Sequence, residues 1–280
     1  MTRQIARNIF EADGTTKAQL AEIYDGVIEN IQANLISSRT KNTNLTVTGA
    51  GSLEAKRFVN INSDDYGTAR AAGKGNAVKA TPVPVIIDKH KEIIEELTKA
   101  DVEAYGVADI IGRRANSHTL SMKRELERAY FLSMMGGTAL VPTATDAQDV
   151  LEEAIVKLAR TKNNYVDGVE RDMMFIAASP EFHSKIKKYV NEDIGNANVD
   201  QAAHKIFRFN GVEIDETNYL PDGVDFIVFV SGVTTAQPIK LEDQYVGERI
   251  QLSNDIAVEL FYDYGTTCVT PDLVVFKNAA

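Results

Sequence analysis

The 280-residue sequence holds one cysteine, Cys268, and no tryptophan. A lone thiol cannot close an intrachain disulfide, so packing and hydrogen bonds must hold the fold, and a reducing compartment suits it. The missing tryptophan excludes nothing. No apolar run approaches the ~20 residues that a membrane-spanning helix needs. Met1–Phe10 lacks the apolar core of a signal peptide. The expectation is a soluble intracellular product. Positive charge is in deficit: 30 Lys and Arg face 40 Asp and Glu, a formal net charge of −10. That balance argues against general affinity for nucleic acid, which requires a basic surface.

Signatures of catalysis are equally scarce. Gly73-Lys74-Gly75 has the texture of a phosphate loop, but its spacing from Gly67 is one residue too long and neither Ser nor Thr follows Lys74. In Asn191–Asn196 the glycine comes one place early for a calcium loop, and Ala202 stands where a Glu ligand belongs. His90, His118, His183 and His204 show no metal spacing; His118 reads as a packed or interface residue. Ser179 lacks the flanking glycines of a hydrolase elbow. Glu95-Glu96, Glu152-Glu153 and Asp64-Asp65 read as solvated faces. No catalytic, cofactor-binding or metal-binding residue is nominated, and the chain is read as not an enzyme.

What is present is a core-forming sequence, 44% hydrophobic, organised around Asp101–Gly137. Ala104, Ala108, Ile111, Ala115, Met122, Leu126 and Ala129 recur at steps that place them on one helical stripe. Asp101 is the expected N-cap and Gly136-Gly137 the stop. Unbroken, such a helix is about 50 Å long, comparable with the ~48 Å width of a compact chain of this size. The alternative is two helices broken near Gly112 or Asn116-Ser117. Arg113, Lys123, Arg124, Glu127 and Arg128 form the opposite face, suited to solvent or a neighbouring subunit.

Ahead of this helix, residues 1–15 read as an arm. Thr16–Gln19 is a capping box, and Leu20, Ile23, Tyr24, Val27, Ile28, Ile31 and Leu35 follow at helical spacing. The face carrying Leu20, Ile23, Val27 and Ile31 is either a core stripe or one that docks on another chain. Residues 41–83 are glycine-rich, with strands expected at Phe58–Asn62 and Val78–Ile87. Pro82 and Pro84 confine the second to an edge or a free-standing hairpin. A loop this long is functional or disordered; read as a hairpin over 44–83, it is expected to touch its own core little. Lys89–Lys99 is expected to open a short helix. Thr145–Gln148 reads as a second capping box, before a helix carrying Val150, Leu151, Ala154, Ile155 and Leu158. Strands are expected at Met173–Ala177, Phe207–Ile214, Val224–Val230, Ile250–Tyr264 and Cys268–Phe276, and Ser179-Pro180 opens a helix through Tyr189. Asn191–Asp200 is a polar loop.

This order of elements resembles the major capsid proteins of tailed bacteriophages, the Hong Kong 97-type shell fold. Thr81–Lys89 is similar to the returning strand of that family's extended loop, and Ala104–Met135 to its spine helix. Met173–Pro180 is similar to the strand-then-helix of its axial domain, and Val258–Gly265 and Pro271–Phe276 to its last strands. The resemblance implies an α+β fold: an N-terminal arm and helix (1–43), an extended hairpin loop (44–83), a peripheral domain around the spine helix (84–143 plus 238–266), and an α/β axial domain (144–237 plus 267–280). It implies a subunit that self-assembles into hexamers and pentamers of an icosahedral phage shell, enclosing double-stranded DNA without specific binding, with no cofactor and no membrane.

Met1 opens directly on the arm, so the expectation is a separate scaffolding protein or none, with portal and decoration proteins as further partners. No motif for covalent cross-linking matches. Candidate inter-subunit contacts are Leu20, Ile23, Val27, Ile31, Phe58, Arg70, Lys74, Arg113, Lys123, Arg124 and Arg128. The alternatives are a bacterial encapsulin-type nanocompartment shell, separable by its cargo, and an intracellular α/β enzyme, separable by turnover from a monomer.

Overall fold

The computed structural model describes residues 35–45, 52–61, 63, 65–98, 107–193, 199–200, 205–241 and 256–279. In chain order these form α1 (Ile36–Thr40), β1 (Ser52–Phe58), α2 (Thr68–Ala71), β2 (Ala80–Ile86), β3 (Lys89–Leu97), α3 (Val107–Ser133), β4 (Thr138–Ala139), α4 (Ala147–Ala159), β5 (Met174–Ala178) and α5 (Pro180–Asp193). Short strands β6 (Val199–Asp200), β7 (Lys205–Ile206) and β8 (Arg208–Phe209) follow, then β9 (Val212–Glu216), β10 (Val224–Val230), β11 (Thr235–Ala236), β12 (Ile239–Leu241), β13 (Ile256–Tyr264), β14 (Thr267–Cys268) and β15 (Val274–Asn278). The described residues divide into two compact units. The first holds the described residues within 35–39, 87–129 and 238–265, the second those within 40–86, 130–237 and 266–279.

In the first unit β12, β13 and β3 make an antiparallel sheet in that order. Leu260, Tyr262 and Tyr264 alternate along β13 and so share one face; Met122 and Leu126, one turn apart on α3, pack with them and with Leu35. The segment Lys89–Lys99, expected as a short helix, is instead a strand, paired with β13 from Lys89↔Tyr264 to Leu97↔Ile256. Its Lys and Glu residues favour helix only weakly, whereas a nine-residue ladder with Ile93 and Leu97 turned inward supplies many backbone bonds and buried area. Helix α3 runs 27 residues, about 40 Å, and passes Gly112 and Asn116-Ser117 without a break. Its expected cap, Asp101, lies outside the described residues.

In the second unit a six-stranded sheet has the order β4-β15-β10-β5-β9-β8. Strand β10 is antiparallel to β15 and β5, while β5–β9 and β15–β4 are parallel. On one face, Met174, Ile176, Phe226 and Val228 meet Leu151, Ile155, Phe182 and Ile186 of α4 and α5. On the other, Phe229 packs at a tilt against Phe175 and edge-on against Tyr130, in the last turn of α3. Burial on both faces explains why β5 and β10 are nearly continuous apolar runs. Gly137 marks a close approach: a Cβ there would lie 2.7 Å from the Val274 Cβ. Asn210 and Gly211, with φ of 45° and 90°, make the two-residue turn between β8 and β9.

Several boundaries differ from expectation. The first hairpin strand is Ser52–Phe58 rather than Phe58–Asn62, and the run expected as Cys268–Phe276 is split into β14, a 3-10 turn at Pro271–Leu273, and β15. Phe207–Ile214 is likewise divided by the Asn210-Gly211 turn. Asp146, not Thr145, caps α4, and its side chain makes no cap bond. Glu153 instead accepts the N–H groups of Thr143 and Ala144 at 3.0 and 3.1 Å, tying down the link ahead of the helix. Helix α5 runs on to Asp193, into the expected polar loop.

Candidate assembly surfaces

The β1–β2 hairpin is antiparallel from Ser52↔Ile86 to Phe58↔Ala80. Val59 N–H donates to the Lys79 carbonyl at 3.0 Å, which makes 59/79 a hydrogen-bonded pair and, by alternation, also 57/81, 55/83 and 53/85. These odd-numbered side chains share one face. Ala55 and Val85 are buried against Ala236 and Val269, with Leu53 and Val83 beside them. The hairpin base is therefore docked on its own chain, contrary to the expectation of little contact, because Leu53, Ala55, Val83 and Val85 form an apolar stripe too short to notice in sequence.

Just beyond that stripe the contacts turn polar. The Arg57 guanidinium grips Asp272 with two bonds, 2.5 and 2.7 Å, and lies 4.2 Å over the Tyr165 ring. Asn163 Nδ2 donates to the same carboxylate at 2.6 Å, while its Oδ1 accepts the N–H groups of Tyr165 and Val166. Tyr165 and Thr81 share a hydroxyl–hydroxyl bond of 2.8 Å. Asn60 donates through its backbone N–H to the Asn164 carbonyl and through Nδ2 to the Tyr165 carbonyl, both at 2.8 Å. Burial pushes the Asp272 carboxyl up, but the bonds from Arg57 and Asn163 outweigh it and hold the group below its ordinary range.

Past this cluster the hairpin is open to solvent. Phe58 is 59% exposed, Val78 74% and Tyr66 fully so. Lys74 is exposed; Arg70 lies on α2. Between Lys56 and Lys79, five basic residues stand against two acidic ones, in a chain that is acidic as a whole.

On α3, Arg124 and Arg128 are exposed and Lys123 is half-buried; Arg113 belongs to the same helix. Glu127, expected on that charged face, is only 2% exposed. Its carboxylate accepts the N–H groups of Ile36 at 3.1 Å and Ser37 at 3.3 Å, two of the first-turn donors that α1 cannot satisfy internally. Burial raises its pKa in spite of these bonds. Leu20, Ile23, Val27 and Ile31 lie outside the described residues.

Of the carboxylates expected on solvated faces, Glu95, Glu152 and Glu153 are engaged, Glu96 and Asp65 are exposed, and Asp64 lies outside the described residues. Arg114 forks onto Glu95 and holds its pKa down, with His118 Nε2 3.1 Å from the same carboxylate. His118 is buried, as its place on α3 suggested. Glu125 accepts the Tyr262 and Tyr264 hydroxyls at 2.7 and 2.9 Å, pinning the sheet of the first unit to α3. Glu152 binds Arg171 and Asn210. Among the described residues no group of three or more His, Cys, Asp or Glu side chains could hold a metal ion, and no helix is long and apolar enough to cross a membrane.

No protein-family model matches the sequence, and no curated protein matches it. Solved structures do. The structure of Mycobacterium phage Che8 is matched with a TM-score of 0.60 and 24% identity, over 82% of this chain and 85% of that one. The capsid structure of Cyanophage P-SCSP1u is matched at 0.65 and 14%, over 86% of each chain. The mature capsid of bacteriophage PhiM1 is matched at 0.62 and 13%, over 88% and 87%. The fold is the Hong Kong 97-type capsid fold. At these identities the likeness is one of architecture. The residues that fix the hairpin's base in this chain, Arg57, Tyr165, Asn163 and Asp272, had no sequence signature.

Proposed function

We propose that this chain is the major capsid protein of a tailed phage or prophage. Its subunits assemble into hexamers and pentamers that close an icosahedral shell around double-stranded DNA, built in the host cytoplasm and carried in the virion. The observation that carries the reading, beside the fold, is the open end of the hairpin. Phe58 is 59% exposed, Ile61 55%, Val78 74% and Tyr66 fully so, and the described residues of the chain leave them open. Four large apolar side chains on one projection are costly to leave in water and mark a contact surface. A hairpin and the surface that receives it are different patches, so the contact is head-to-tail and closes into rings when the rotation permits.

In this proposal residues 84–143 with 238–266 act as the peripheral domain, and 144–237 with 267–280 as the axial domain. The hairpin reaches a neighbouring copy, and residues 1–43 form an arm whose Leu20, Ile23, Val27 and Ile31 face docks between subunits. Arg113, Lys123, Arg124 and Arg128 are a second contact surface. Scaffolding, portal and decoration proteins are further partners. Many weak contacts suffice, because they act together.

The test is sedimentation and negative-stain microscopy of the purified chain across concentration and salt, with and without a candidate scaffolding partner. Closed particles that package DNA are expected. Particles that hold a protein cargo instead favour the nanocompartment shell. A monodisperse monomer under every condition, with turnover of a small molecule, overturns the shell reading.

A further inference from the structure

We propose that Arg57, Tyr165, Asn163 and Asp272 form a polar clamp that sets the direction of the hairpin, and that these are positioning residues for assembly. The inference rests on the shell reading for its consequence, but the clamp itself is a property of the single subunit.

Three pieces of chain distant in sequence meet here. Arg57 and Thr81 sit opposite each other on the two hairpin strands, as a hydrogen-bonded pair whose side chains share a face. Tyr165 touches both: its ring lies under the Arg57 guanidinium and its hydroxyl bonds Thr81. Gripping both strands at one level resists twisting as well as bending, which a bond to one strand would not.

Asp272 closes the assembly from the far end of the sequence. Its two oxygens take the two Arg57 nitrogens, the fork-to-fork geometry that fixes orientation as well as distance. Asn163 then holds Asp272 in place while its own carbonyl oxygen ties the Asn163–Val166 turn. The Arg57 side chain is 17% exposed and that of Asp272 25%, so the pair is shielded from most of the screening that weakens surface ion pairs.

The position of the clamp is what gives it leverage. Inward of it, Ala55 and Val85 are buried; outward of it, Phe58, Ile61, Tyr66 and Val78 are exposed. Beyond it, the bonds from Asn60 to the Asn164 and Tyr165 carbonyls are the last ties of the β1 side to the 163–166 turn among the described residues. From Phe58 to Tyr66 an extended chain spans at most roughly 27 Å at ~3.3 Å per residue. A 10° swing about the clamp would then move the tip about 5 Å, the spacing of neighbouring strands in a sheet. At the apolar stripe, two to four residues from the pivot, the same swing is a shift of only about 1–2 Å at ~3.3 Å per residue, and the hydrophobic effect, being non-directional, resists it weakly. A bidentate ion pair stacked on a ring resists it strongly. The stripe attaches the hairpin, and the clamp aims it.

The test reads hairpin direction in the isolated subunit before it reads assembly. In a Cys268→Ser background, spin labels at Lys74→Cys and Asp149→Cys report the distance from the tip to α4. A single narrow distribution is expected, its width at least doubling in Asp272→Asn and in Arg57→Lys, which keeps the charge but loses the fork and the stack. Unchanged width in both overturns the clamp. If Asp272→Asn does not fold, Thr81→Val and Asn163→Ala, both at exposed positions, take its place, and unchanged widths there overturn it equally.

Particle assays then follow on the same variants without labels. Uniform closed shells should fall at least fivefold in yield, with open or irregular products in their place. Wild-type yield and size from a variant with doubled width overturns the role in assembly. Broadening in the variants together with a wild-type chain that never assembles leaves the clamp standing and defeats the shell reading instead.

Discussion

Replacing Glu127 with alanine should loosen α1 and destabilise the chain by about 3–4 kcal/mol. The figure follows from two terms. The carboxylate accepts bonds of 3.1 and 3.3 Å from Ile36 and Ser37, and bonds to a charged group contribute ~1.5–3 kcal/mol each, the longer one at the low end. Truncation also takes the carboxylate acceptor from the buried Ser37 N–H, at ~1–3 kcal/mol. Against this, the carboxylate no longer has to be desolvated, a cost visible in its raised pKa. At roughly 2 °C per kcal/mol for a chain of this size, the melting temperature should fall by about 6–8 °C.

Glu127→Gln keeps one acceptor and should lose about half as much. Locally, Arg39 is exposed at the end of α1, so tryptic cleavage there should quicken at least tenfold in Glu127→Ala. The pH dependence has a definite sign. A raised pKa means that the folded subunit keeps the proton to higher pH than the unfolded chain, so stability relative to Glu127→Gln declines as pH rises from about 4.3 towards the raised value. Calorimetry of the unassembled subunit reads both effects. A melting point within 1 °C of wild type, with unchanged cleavage at Arg39, would refute the capping role.

Three further outcomes follow. Glu95 has the opposite sign to Glu127: Arg114 holds its pKa down, so its contribution is present above pH ~4.3 and lost as pH falls through the depressed value. Both partners are around one-third exposed, which limits the loss to about 1 kcal/mol; Glu95→Gln should remove that acid limb from a plot of melting temperature against pH. Gly137→Ala places a methyl 2.7 Å from Val274 Cβ and 2.8 Å from its carbonyl oxygen, and should cost ~1–3 kcal/mol in a denaturant titration, since backbone must move. Phe58→Asp, at a site 59% exposed, should leave subunit melting within ~0.5 kcal/mol of wild type yet abolish particles by sedimentation; normal particles would remove Phe58 from the contact surface.

Which parts of this fold were legible depended on how many faces of an element are buried. Strand β10 was read at Val224–Val230 without error because both of its faces are covered, which writes an unbroken apolar run. Helix α4 was legible through Val150, Leu151, Ala154, Ile155 and Leu158, all buried. Strand β3 was not, because one face alternates with Lys and Glu and only its pairing with β13 decides for extended chain. Glu127 was misplaced for a related reason. Helical spacing groups it with Lys123, Arg124 and Arg128, and only the arrival of α1 over that turn makes it interior. The clamp left no trace at all: Arg57 and Asp272 are 215 residues apart, and an isolated Arg, Asn, Tyr or Asp in a loop looks like any solvated residue. Chemistry assembled by topology is invisible until the topology is known.

The two prolines of β2 have a bearing on solubility. Pro82 and Pro84 pair with Lys56 and Glu54, and both occupy the non-hydrogen-bonded positions of the ladder, where a backbone nitrogen points away from β1. The outer edge of β2 thus lacks two successive donors that an incoming strand would need. A projecting two-stranded ribbon with exposed apolar side chains is otherwise a template for edge-to-edge polymerisation. If the chain assembles as proposed, the β2 side of the ribbon can be recognised through its side chains while strand addition along that side is hindered.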